Sequence, residues 1–162
     1  MTEAAEILRT PKNLQLGKLS ESLGFLLRLS QIKAFEDFFE SLGDFDVRPG
    51  EISVLTVIGE NPGVRQGLVA RRLMIKRANM TKMVRAMEER GLVRRTIPED
   101  DKRSVELWLT KKGSARLVDL RGPFMAHEAH PVQSLSREDE AELKRLLRKY
   151  IGLPEPRRGG GR

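Results

Sequence analysis

The sequence predicts a mainly α-helical fold with one small β-hairpin past its middle. Apolar residues recur at spacings of three and four through most of the chain. That period gives way once, to two short alternating runs, Leu92–Ile97 and Ser104–Leu109, joined by a charged turn. The composition agrees: of 162 residues, 33% are charged and only 5% aromatic, as for charged helices that bury further apolar area against a partner chain. The length suits one compact domain, or a small domain with an assembly element. It excludes a TIM barrel or a two-domain dinucleotide enzyme.

The elements follow in order. Residues 1–17, interrupted by Pro11, are expected to form a flexible arm. From Leu19 to Leu42 the apolar stripe is wide enough to need two partners, its own domain and something else, and Gly43 is its expected stop. Asp44–Arg48 connect. Pro49 suits a first helical turn and Glu51 a helix N-terminus, so Ile52, Leu55, Val57 and Ile58 mark a second helix, ended by Asn61-Pro62-Gly63. Val64–Met74 reads as a third, with Leu68, Val69 and Leu73 inward. Residues 76–90 read as a fourth, packed through Met80, Met83, Val84 and Met87 and closed by Gly91. After the hairpin, Thr110 caps a helix from Lys111 toward His130, with a bend expected at Gly122-Pro123 and a stop at Pro131. Ser136 caps a last helix with Leu143, Leu146, Leu147, Tyr150 and Ile151 on one face, and the tail from residue 153 is expected to be disordered.

Three short helices and a hairpin with a charged tip make the winged helix-turn-helix plan. That domain is assigned to 44–110, between a dimerisation helix at 18–43 and C-terminal dimerisation helices at 111–152. A two-fold homodimer is expected, because the outer helices are apolar on faces that the small domain cannot cover.

Charge placement points the same way. Between Arg65 and Arg103 stand 12 bases and five acids, a net +7 equal to that of the whole chain. A block of this kind is either a solvated face or the footprint of a polyanion-binding surface, and the neutral remainder favours the second. Double-stranded DNA is the expected partner, with one short helix crossing its backbone and the next entering the major groove. Lys76, Arg77, Asn79, Thr81 and Lys82 are assigned to the exposed first turns of that recognition helix. Asn79 suits a bidentate adenine contact, unless it is simply solvated, and Arg77 suits guanine. Lys76, Lys82 and Arg85 suit phosphates.

Enzyme function is not expected. The chain lacks GxGxxG, GxxxxGK[ST] and HExxH patterns and any nucleophile–base set. With no cysteine there is no thiolate metal site and no thiol redox sensor, and no cofactor is expected. The N-terminal residues carry no secretory apolar stretch, so a cytoplasmic location is the default and no membrane partner is expected.

The stretch GVRQGLVARRLMIKRANMTKMVRAMEERGLVRRTIPEDDKRSVELWLTKKG resembles the DNA-binding core of the MarR family of bacterial transcriptional regulators. Its most specific pieces are MVRAMEERGLVRR and PEDDKRSVELWLTKKG, with LSREDEAELKRLLRKYIG further on; the resemblance runs over about residues 19–152. It implies that Arg103 reaches the minor groove, that Asp101 fixes the wing tip through a side-chain bond, and that Lys102 meets the backbone. It also implies a homodimer on a pseudo-palindromic operator, repression as the default, and release by a small ligand between dimer helices and wing domain. Two residues depart from the family pattern. Met74 stands where a small residue or glycine is usual, and Lys76 where Ser or Thr usually caps the recognition helix.

For the effector, Phe25, Phe35 and Arg28 with Lys33 on the first helix, and His127 and His130 near the end of the fifth, are the candidate pocket residues. Aromatic rings with a cation suit a small aromatic carboxylate. The phenylalanines equally suit plain dimer core, and Arg28 an internal salt bridge. The alternatives are a metal-responsive regulator of the same fold, with zinc shared by His127, His130 and Glu128, and a winged-helix protein-interaction module.

Overall fold

The computed structural model describes residues 14–99, 101–129 and 134–155. The expected arm before Leu14, Asp100, His130 with the Pro131 stop, and the tail beyond Glu155 lie outside the described residues. The chain divides into two compact units, residues 1–127 and 128–162, and each is described by itself.

In the first unit, α1 spans Leu23–Leu42. It starts later than the periodicity from Leu19 suggested, because Gly17–Glu21 form a separate 3-10 turn and Ser22 is extended. The Ser22 hydroxyl accepts from the Phe25 N–H at 3.5 Å and satisfies one open donor of the helix. Gly43 is not the left-handed stop expected of it: its φ is −56° and a 3-10 turn continues to Phe45. The chain reverses instead at Asp46, φ +44°, where aspartate tolerates the left-handed region better than most residues. Arg116 holds this corner by donating to the Phe45 carbonyl, and to that of Asp46 at 3.4 Å.

Next come α2 (Pro49–Glu60), β1 (Val64–Arg65), α3 (Gln66–Arg72), α4 (Arg77–Glu89), β2 (Val93–Thr96), β3 (Glu106–Leu109) and α5 (Lys111–Ala129). The expected helix from Val64 begins two residues later because the backbone there pairs with β3. Gly63 N–H donates to Leu107 at 3.0 Å and Gln66 N–H to Val105 at 2.8 Å. The hairpin is therefore part of a three-stranded antiparallel sheet, ordered β1-β3-β2, with Val64 opposite Leu107 and Arg95 opposite Leu107 on the other side.

Val54, Leu55 and Ile58 of α2, Val69 and Ala70 of α3, Met80, Val84 and Met87 of α4, and Leu92, Val93 and Leu107 around the sheet form the main core. Burying them presents the opposite side of α4 to solvent. Leu68, expected inward, is 48% exposed, since Val69 and Ala70 already fill that face. A second core joins Phe38 and Leu42 of α1 to Val47, Ile52 and Leu120, with Phe45 and Phe124 against it. In α5 the helix continues past Pro123, which has no N–H to return to the Asp119 carbonyl.

Three helices end in the same hydrogen-bonded lock. After α4, Gly91 (φ +72°) donates to Glu88 at 2.8 Å and Leu92 to Met87 at 2.8 Å. In the second unit, α6 (Arg137–Tyr150) starts with a reciprocal Ser136–Asp139 capping box and ends with Gly152 (φ +69°) donating to Lys149 and Leu153 to Arg148. After α3, Met74 N–H donates to Arg71 at 3.2 Å and Ile75 N–H to Ala70 at 2.9 Å. This is the Schellman arrangement in all three, and its left-handed position favours glycine. At the third it holds methionine, φ +53°, at a cost of about 1 kcal/mol.

The wing is fastened to α5 through backbone contact. Thr110 Oγ1 donates to the Gly91 carbonyl at 2.6 Å and accepts from the Gly113 N–H at 3.0 Å. A Cβ on Gly113 would lie 1.9 Å from the Leu92 carbonyl oxygen, so only glycine lets the first turn of α5 pack there. Gly113→Ala is expected to cost about 3 kcal/mol, because the obstruction is backbone rather than a movable side chain. Urea unfolding measures it.

Candidate nucleic-acid interface

The first turns of α4 present the assigned recognition residues. Lys76 is the N-cap, with extended backbone (φ −56°, ψ 137°) and no side-chain capping bond. Lys76, Arg77, Asn79 and Lys82 are exposed and make no side-chain hydrogen bond or ion pair among the described residues. Thr81 is engaged: its hydroxyl donates to the Arg77 carbonyl at 3.0 Å and accepts from Gln66 Nε2 at 3.2 Å. Arg85 pairs with Glu89 one turn on, at 2.9 Å.

The wing tip is tied by its own aspartate. Asp101 Oδ1 accepts from the Arg103 N–H at 3.1 Å, and the Asp101 carbonyl accepts from Ser104 N–H at 3.0 Å. Arg65 of β1 reaches the Asp101 carboxylate at 3.7 Å. Lys102 and Arg103 point outward, exposed. Between this tip and the start of α4 lies a groove of about 810 Å³ with Ala70, Ile75 and Val105 in its lining and Arg71, Lys76, Arg77 and Arg103 among its cations.

Two acids on α4 are spent on other cations. Glu88 binds Arg95, whose guanidinium is held further toward its charged form by that hydrogen bond, and Glu89 binds Arg85. Buried Glu51 takes Arg90 through two bonds, 2.8 and 2.9 Å, which fasten the far end of α4 to the start of α2. The sequence reading gave Glu51 only a dipole role; a carboxylate beside a run of core residues was the available signal. Gln66 was also missed, because its partner lies 15 positions away. On the outer face of the sheet, Arg94 lies over the Trp108 ring at 4.8 Å, and Trp108 Nε1 donates to Thr96 at 2.9 Å.

The described candidate effector residues are spread along α1 and near the end of α5. Phe25 and Ser41 are 16 positions apart on α1, about 24 Å along its axis. At the first end, Phe25 is half-buried and Arg28 exposed. Lys33 pairs with Asp37, and that hydrogen bond raises its ammonium above the usual lysine range. Phe35 is 44% exposed. At the second end, His127 Nδ1 lies 3.1 Å from Ser41 Oγ, with its ring edge-on to Phe38 at 5.9 Å. His130 lies outside the described residues, among which no three His, Asp or Glu side chains gather as a metal site.

Comparison with known proteins places this geometry. A family profile described as MarR family matches residues 47–105, from the start of the α2 region to the wing. A protein assigned as transcriptional regulator of the hcr operon in Thauera aromatica is 31% identical over 134 residues, covering 82% of this chain and 81% of that one. The solved structure of the transcriptional repressor CouR on a 23-mer DNA duplex shares 35% identity and a TM-score of 0.78, covering 86% of this chain and 99% of that one. CouR bound to p-coumaroyl-CoA shares 34% identity and a TM-score of 0.76, covering 86% and 98%. Fold and matches together define a winged helix-turn-helix transcriptional regulator. The chain belongs to the MarR family. No described helix is long and apolar enough to cross a membrane.

Asp101→Ala removes the acceptor of the Arg103 N–H and one partner of Arg65. Amide hydrogen exchange at Arg103 and Ser104 is expected to quicken severalfold, while global stability changes by less than about 1 kcal/mol, the scale of exposed pairs.

Proposed function

We propose that the chain is a homodimeric, ligand-responsive repressor that holds a pseudo-palindromic operator and leaves it when an aromatic acid, free or as its thioester, binds. One observation carries the DNA-binding part. Lys76, Arg77, Lys82, Lys102 and Arg103 stand exposed at the first turns of α4 and the wing tip, without ion pairs among the described residues. Cations left without acids on one side of a domain suit phosphates, and Arg77 and Asn79 between them are free to read base edges. Thr81, engaged by Gln66, acts through helix placement. Arg85 can exchange Glu89 for a phosphate.

Dimerisation is supported by apolar surface. On α1, Leu23, Leu26, Phe35 and Phe39 are 55, 46, 44 and 49% exposed; on α6, Leu143, Leu146 and Tyr150 are 44, 47 and 63% exposed. A second copy covers such faces, and two recognition helices about 34–36 Å apart meet successive major grooves. In that assembly Phe25, Arg28 and Phe35 of α1 can be completed into a pocket by the partner chain. The aromatic effector class is supported by CouR, solved with an aromatic acyl thioester. A ligand that favours the dimer geometry unsuited to the operator lowers DNA affinity by the same factor as DNA lowers its own.

Fluorescence anisotropy on duplex from the gene's own promoter region tests the first part. Lys82→Ala and Arg103→Ala should each lower the slope of log affinity against log salt by about 1. An unchanged slope and affinity in both variants contradicts the assignments. For the second part, thermal shift with p-coumarate and with p-coumaroyl-CoA, repeated with operator present, should find one that raises the melting temperature and releases DNA. If neither does, the aromatic effector class is wrong and the DNA assignments stand.

A further inference from the structure

Resting on the DNA-binding reading, we propose that Met74 is a DNA-contacting residue whose side chain meets the apolar carbon surface of the duplex, a thymine C5-methyl or a deoxyribose face. Among the described residues one helix-ending lock occurs three times, with glycine in its left-handed position twice, at Gly91 and Gly152. The third time it holds Met74 at φ +53°. A strained side chain normally recovers its cost by packing. Met74 recovers nothing in the protein itself, because it is 89% exposed, more than any other large hydrophobic residue described.

Its surroundings identify what would cover it. Met74 sits in the turn between α3 and α4 and lines the groove beside Arg71, Lys76, Arg77 and Arg103, none of which makes an ion pair among the described residues. A second copy of this chain would bring like charge against like charge there, and an ordinary apolar partner would strand those cations. A polyanion with apolar carbon between its charges satisfies both. Duplex DNA offers that combination: methyl groups in the major groove and sugar faces between phosphates. Leu68, half-exposed in the same groove, extends the apolar strip. Methionine's unbranched, polarizable chain adapts to such an irregular surface.

The test uses the full-length Met74→Gly and Met74→Leu variants. Glycine fits the left-handed turn, so Met74→Gly should fold and melt at or above the wild-type temperature. On promoter DNA it should bind about three- to tenfold more weakly than wild type, from lost apolar contact, with the salt slope unchanged. Met74→Leu should stay within about twofold, since it keeps apolar bulk. Replacing thymines one at a time with deoxyuridine then separates the two carbon surfaces. A position where wild type weakens and Met74→Gly does not identifies a methyl contact; loss in Met74→Gly with no such position identifies the sugar. Equal affinity of Met74→Gly and wild type overturns the proposal, as does a parallel fall in salt slope. Failure of wild type to bind any duplex would instead bring down the DNA-binding reading itself.

Discussion

Like charges crowded onto one side of a small domain repel, and the architecture tolerates that repulsion where pairing was available. Three of the five acids between Arg65 and Arg103 form ion pairs among the described residues. Glu88 takes Arg95, Glu89 takes Arg85, and Asp101 takes Arg65. Arg90, at the end of α4 remote from its first turns, is neutralised from outside the segment by Glu51. The first turns of α4 and the wing tip keep their cations exposed. A surface pair is worth at most about 1 kcal/mol, so leaving these unmade costs the fold little. Cations that meet a phosphate chain each release counterions.

Presenting charge is useful only if its carrier is rigid. Helix α4 is fixed on three sides. Met80, Val84 and Met87 bind it to the main core, Gln66 ties Thr81 to α3, and Glu51 clamps Arg90. Behind it, Gly91 turns the chain into the sheet, and Thr110 and Gly113 lock that turn against α5. The first turn of α5, α4 and the sheet therefore form one body. The separate core of Phe38, Leu42, Val47, Ile52 and Leu120 then links α1 to that body through α2 and α5. α1 is thus joined to that body by packed side chains.

Helical periodicity and glycine caps made much of this legible in the amino-acid sequence. Met80, Val84 and Met87 repeat at the spacing that buries one face of α4, and Gly91 occupies the position that a helix end requires. What escaped depends on distant partners. Val64 and Arg65 look helical by themselves and become a strand because β3, some forty residues later, supplies the ladder. Leu68 is apolar yet exposed, since burial is decided by which neighbours already fill the core. Gly43 ranked as a stop by residue type, whereas Asp46 makes the left-handed turn that Arg116 holds. The effector candidates were grouped by chemical type, which does not show that Phe25 and Ser41, the neighbour of His127, lie about 24 Å apart along α1.

In the proposed complex two such cationic heads, set at a fixed pitch by paired outer helices, sit on one side of a duplex. A hydroxyl-radical footprint on promoter DNA at physiological salt reads this directly. Two protected patches are expected on the same face, about one helical turn apart, each flanked by narrower protection from a wing. A single patch, or uniform protection with no helical phase, would contradict that arrangement.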